Sequence, residues 1–138
     1  MYRSEPVVAP EDVCLDFIIE SPRLIRVNYP AINVGFKLFE HVRLEFEKVE
    51  QPWKYDCMFN MLPFQGHILF DELDAFRESW YRMVGDRDIG RKVASVSLDP
   101  LTAERFETYK VLFPTRVFRL FHTVDTAYAW LNETAAND

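Results

Sequence analysis

Glycine is scarce in this chain, with four residues in 138. No G-x-G-x-x-G and no P-loop can be assembled from them, which excludes the common backbone cradles for dinucleotides and nucleoside triphosphates. Cysteine is scarcer still, at two. Cys14 and Cys57 have no CxxC neighbours, so neither a disulfide framework nor a zinc site is expected, and both read as free thiols within strands. His41, His67 and His122 share no ligand-type spacing with one another or with the cysteines, and no metal site is expected from them. Basic residues are outnumbered, 16 against 22 acids, for a formal charge of -6. A phosphate-backbone footprint needs clustered Lys and Arg. Here the densest group, Arg82 to Lys92, alternates with Asp86 and Asp88. Nucleic acid is not an expected partner. Long apolar runs are missing too: nothing approaches the ~18 residues of a membrane span. The opening MYRSEPVVAPEDV carries acids and prolines where a signal peptide has its apolar core. A cytoplasmic protein with no membrane span and no cofactor is the expectation.

What the chain does have is aromatic bulk: 12 Phe, 6 Tyr and 3 Trp. With 49% hydrophobic and 28% charged residues the composition is that of a globular domain, not a disordered one. The first reading of the aromatic surplus is a core; the second is an aromatic-lined dimer face, with Trp53 and Tyr55 as candidates beside a turn. Residues 1–11 hold two prolines and no periodicity and read as a flexible arm, 12–133 as one domain, and 134–138 as a frayed tail. Val13, Leu15, Phe17 and Ile19 alternate as in a strand, and Leu24 to Tyr29 follows Ser21-Pro22 as its hairpin partner. Ile32, Phe36, Phe39, Val42, Phe46 and Val49 step by three and four, the spacing of an amphipathic helix ended by Gln51-Pro52. Tyr55 to Met61 is a compact apolar run for a buried strand. Helical spacing returns from Leu69 to Val84. Val93 to Val96 is a further strand, Thr102 to Phe113 a helix, and Arg116 to Phe121 a last strand. Thr123 is placed to cap a closing helix. The order β-β-α-β-α-β-α-β-α predicts an α/β fold: a mostly parallel sheet with an N-terminal antiparallel hairpin, packed against helices.

Three local features carry a resemblance. RKVASVS is similar to an Arg-x-Val-Ala-hydrophobic-Val strand, a helix ending in LFP follows it, and RVFRLFHTVDTAYAWL is similar to an Arg-Val-Phe strand leading to a capped helix that closes on Ala-x-Ala-Trp-Leu. In that order they resemble the SpoIIAA-like branch of the STAS domain family, over Val13 to Leu131. The resemblance implies a sheet with helices packed against it, no intrinsic catalytic machinery, and a regulatory or scaffold role of bacterial type. It also implies a protein partner, a second copy of the chain included. The best understood STAS relatives are switched by phosphorylation of a Ser in the loop between the third strand and the second helix. The equivalent stretch here, Met61-Leu62-Pro63-Phe64-Gln65-Gly66-His67-Ile68, has no Ser, Thr or Tyr. The fold and the interaction role carry over, and the phosphoswitch does not.

Ligands of open α/β sheets sit outside the carboxyl ends of the strands. The candidate partner- or ligand-binding residues there are Asn60, Pro63, Phe64, Gln65, Gly66, His67, Asp99 and His122. A cleft holding Asn60, Asp99 and His122 suits a small apolar or anionic ligand, the alternative to a protein partner. A second alternative is a small hydrolase or isomerase using Asp99 and His122, with Ser97 nearby. Against it, Asp99 before Pro100 sits where a helix cap belongs, and Ser97 lacks the G-x-S-x-G elbow of an exposed nucleophile.

Overall fold

The computed structural model describes residues 15–30, 38–64 and 70–137. Cys14 and the candidates Gln65, Gly66 and His67 lie outside the described residues, as do residues 31–37 at the start of the first expected helix.

The elements come in the expected order. Strands β1 (Asp16–Ser21) and β2 (Leu24–Asn28) precede helix α1 (Leu38–Glu47). Then β3 (Asp56–Asn60), α2 (Phe70–Val84), β4 (Lys92–Val96), α3 (Pro100–Leu112), β5 (Val117–Phe121) and α4 (Val124–Asn137) follow, with a 3-10 turn at Pro52–Lys54 before β3. The five strands form one mixed sheet in chain order, β1-β2-β3-β4-β5. β1 and β2 are antiparallel, as two strands joined by Pro22 and Arg23 must be, and every later pair is parallel through a helix.

Strand alternation divides the side chains between two cores. Cys57 and Val93 face one side, where Val42 and Phe46 of α1, Phe76 and Trp80 of α2, and Phe106 and Tyr109 of α3 pack. Met58, Ala94 and Val96 face the other, under Ala127, Trp130 and Leu131 of α4. The sheet is therefore covered on both faces, three helices against one.

Local chemistry explains the boundaries. Asp99 accepts a hydrogen bond from Leu101 N at 3.0 Å, so α3 starts at Pro100, two residues before the apolar pattern announces it, with proline in the first turn where its missing N–H does no harm. Thr123 Oγ1 accepts from Thr126 N at 3.1 Å and opens α4 as expected. Gly85 ends α2 at φ 65°, donating its N–H to Tyr81 O. Two helix ends also differ from the sequence reading. α1 stops at Glu47, short of Val49, and the chain turns again at Pro52. α4 runs on to Asn137, through Ala135 and Ala136, which favour helix intrinsically.

Trp130 anchors α4. Its ring lies 5.6 Å from that of Phe121 and 4.7 Å from Lys92 Nζ, and the same ammonium donates to the Trp130 carbonyl at 2.6 Å. Trp130→Ala should destabilise the domain by about 3–5 kcal/mol, read as a lower urea midpoint. A loss under about 1 kcal/mol would show that α4 is held from elsewhere.

Candidate functional site

The carboxyl ends of β3, β4 and β5 share one rim of the sheet, because the three strands are parallel neighbours. Asn60 ends β3 on the α4 side. Its Nδ2 donates to Asn28 Oδ1 at 3.2 Å and its Oδ1 accepts from Leu62 N at 3.2 Å, which ties the strand to the turn behind it. Asn28 Oδ1 also accepts from Arg26 Nε at 2.9 Å, and Arg26 and Glu20 meet at the Tyr128 hydroxyl of α4. Asn60 thus belongs to a polar ladder across β3, β2 and β1.

Asp99 is engaged as the α3 cap, and Ser97 Oγ accepts from Asp99 N at 3.1 Å. Among the described residues no hydrogen bond joins His122 to either of them. His122 and Pro63 are exposed, whereas Phe64 is buried against Tyr29, ring centroids 5.5 Å apart. The rim therefore brings Pro63 and His122 to the surface beside Leu62 and Leu98, and turns Phe64 inward. Of the aromatic surface candidates, Tyr55 is buried, and Trp53 is half covered with the Arg87 guanidinium 3.6 Å above its ring.

The other end of the sheet holds a charged centre that the sequence reading missed. Asp88 is fully buried in the turn between α2 and β4. Its Oδ2 accepts from Arg116 Nε at 2.7 Å and from Trp80 Nε1 at 3.0 Å, and its Oδ1 from Thr115 Oγ1 at 2.7 Å. Arg116 also donates through Nη1 to Tyr55 O at 3.0 Å and toward Cys57 Sγ at 3.5 Å. Its Nη2 is buried without a hydrogen-bond partner among the described residues. Burial pushes the Asp88 carboxyl up, but the hydrogen bonds from Arg116, Thr115 and Trp80, with the Arg116 charge, outweigh it and hold the group below the ordinary aspartate value. Burial pushes the Cys57 thiol up, and the adjacent Arg116 does not reverse that, so the thiol is protonated and a poor nucleophile. In sequence Asp88 was indistinguishable from Asp86, which is exposed. The one local hint is its setting between Gly85 and Gly90, both with positive φ, which lets the turn fold back under the sheet end.

Between this centre and the rim lies a half-open cavity of about 70 Å³, with β3, β4 and β5 on one side and α2 and α3 on the other. Phe59, Met61, Leu73, Phe76 and Phe118 form most of its wall, and although Tyr29, Tyr109, Ser95, Cys57 and Arg116 also line it, the surface they present is almost wholly apolar. Burial raises both tyrosines, Tyr29 further through the neighbouring Tyr109 phenol, so both are neutral hydroxyls. An outer groove between α2 and α3, lined by Arg77, Tyr81, Val111 and Pro114, shares Trp80 and Phe113 with the cavity. No cluster of three or more potential metal ligands occurs among the described residues. Nor is any helix among them long and apolar enough to cross a membrane.

No family model, curated protein or solved structure matches the chain.

The Asp88–Arg116 pair makes a stability prediction with a definite sign. Because the folded carboxyl titrates below its unfolded value, its stabilisation is present above about pH 4 and is lost as pH falls through the lowered value. Asp88→Ala leaves Arg116 as an uncompensated buried charge and should cost about 3–5 kcal/mol at neutral pH. In urea titrations the gap between wild type and Asp88→Asn should narrow below about pH 4. A gap constant from pH 7 to pH 3 would mean that Asp88 is not held ionised.

Proposed function

We propose that the chain is a non-enzymatic STAS-like domain of the SpoIIAA-like branch, with a regulatory or scaffold role exercised by binding another protein or a second copy of itself. Support for the family comes from the hairpin followed by three parallel crossovers, and from RVFRLFHTVDTAYAWL forming β5 and α4. The observation that carries the interaction role is the rim at the strand carboxyl ends. Leu62 is 36% exposed and Leu98 69% exposed there, and Pro63 and His122 are exposed with them. The polar groups of the same rim, Asn60, Ser97 and Asp99, are engaged in holding turns and a helix cap. A rim with exposed leucines whose Asn60, Ser97 and Asp99 are internally committed, leaving His122 as its exposed polar side chain, suits contact with a protein surface better than chemistry on a substrate. A phosphoswitch in the Met61–Ile68 loop forms no part of this reading, since that loop has no hydroxyl to modify.

The test is quantitative affinity capture with the tagged chain, beside native mass spectrometry of the purified protein. A partner, or the homo-oligomer, should bind wild type and weaken about tenfold or more in the Leu62→Asp/Leu98→Asp variant, the effect of about 1.4 kcal/mol. Val111→Asp, which changes an exposed residue near the far end of α3, should leave binding intact. The reverse pattern moves the contact surface off the rim. A chain that binds nothing and stays monomeric in every form would sink the interaction reading.

A further inference from the structure

Helices cover both faces of the central strands and stop short of β1. Strands β2, β3 and β4 have no exposed residue, whereas five of the six in β1 are exposed. Ile18 is 40% and Ile19 51% exposed. The two point to opposite faces. Ile18 pairs with Arg26, which reaches Tyr128 of α4, and Ile19 pairs with Ile25 of the opposite core. β1 is also an edge, joined to β2 alone. Alternate N–H and C=O groups of an edge strand point away from its neighbour and are open to pairing with another chain. The other edge, β5, carries the exposed Arg119 at its centre, a long charged side chain of the kind that blunts such pairing. β1 has no Lys, Arg or Pro between Asp16 and Ser21. A bare strand edge defines the form of its occupant, which is an extended segment bonded main chain to main chain. We propose that β1 takes an extended segment of a partner protein as an added antiparallel strand, with apolar residues opposite Ile19, Ile18 and Phe17 and a basic residue opposite Asp16. This contact is separate from the leucine rim and does not rest on the reading proposed there.

Charge and register select the segment. Asp16 is exposed and forms no ion pair among the described residues, while Glu20 is held by Tyr128 and Arg26. An opposite charge directly across the ladder is favourable and a like charge is not. The register of β1 shifts between Ile19 and Ser21, and such an irregularity breaks a ladder, so the stretch that can pair regularly is Asp16 to Ile19. A second copy of β1 fits this edge poorly. Antiparallel pairing that sets Ile18 against Ile18 puts Asp16 opposite Glu20, and parallel pairing puts each acid beside its own copy. A segment of three apolar residues followed by Lys or Arg satisfies both the exposed isoleucines and the unpaired carboxylate.

The probe is a capped peptide of sequence TVIVKT, titrated into the full chain at low salt and followed by backbone amide NMR. Saturable shifts and slowed amide exchange should centre on Asp16 to Ile19. The peptide TVIVET should bind about threefold or more weaker, and Asp16→Lys should reverse that preference. N-methylation separates main-chain pairing from side-chain contact, because only alternate amides of an added strand face its neighbour. Methylating either the second and fourth peptide residues or the third and fifth should abolish binding, and the other set should leave it. Ile19→Lys should weaken TVIVKT about tenfold or more, whereas Val117→Lys, on the opposite edge strand, should not change it. No saturable shift at β1 with any peptide overturns the site. Full binding by both methylated peptides overturns strand addition, and equal binding of TVIVKT and TVIVET overturns the charge argument. A dimer of the chain alone that Ile18→Lys abolishes gives the edge to a second copy and overturns the partner segment.

Discussion

Asp88 has no access to water, and taking a carboxylate out of water costs several kcal/mol unless its lone pairs are filled. The filling comes from far apart in the chain: the indole of Trp80 on α2, the hydroxyl of Thr115 and the guanidinium of Arg116 just before β5. Arg116 reaches onward to the Tyr55 carbonyl at the entry to β3. One carboxylate thereby sets the relative position of α2, β3 and β5 at the amino ends of the strands. At the carboxyl ends an apolar contact does the equivalent job, Tyr29 lying edge-on to Phe59 and Phe64. The cavity occupies the interval between a polar lock and an aromatic plug.

The two faces of the sheet are held by different means. Beneath α1, α2 and α3 the contacts are mostly ring on ring, as between Phe46 and Trp80 or Phe106 and Phe118. Beneath α4 the apolar cover comes from Ala127, Trp130 and Leu131. Toward β1 it gives way to the Glu20–Tyr128–Arg26 cluster, which pins the hairpin with hydrogen bonds. Directional contacts of that kind fix the register of a small hairpin in a way that apolar area alone does not.

Periodicity made the elements legible. Alternation in Val13–Ile19 and steps of three and four in Val42–Phe46 and Phe76–Trp80 are each set by local geometry, and the short Ser21-Pro22 connection allows only an antiparallel pair. The caps at Asp99 and Thr123 were legible for the same reason, because a side chain there satisfies an N–H two or three residues on. Asp88 was not, since its partners lie 8, 27 and 28 residues away and nothing local separates it from an exposed acid. The cavity was invisible too: its apolar lining residues read as ordinary core, and only the placement of α2 and α3 leaves space among them. Tyr55, read both as the start of a buried strand and as a surface candidate beside a turn, follows the first reading: its ring is carried inward with the strand, and its carbonyl is what Arg116 binds.

The sheet grows in the order in which the chain is synthesised, each strand adding beside the one before it. The hairpin can accordingly pair as it emerges, and each later strand waits only for its own helical crossover. The exception is the cation. Arg116 arrives 28 residues after Asp88, at the head of the last strand, and until then the carboxylate must remain hydrated and the turn that carries it must remain open. A nascent chain without β5 therefore keeps one end of its sheet wet, and the passage to a dry interior waits for the final strand rather than proceeding by degrees.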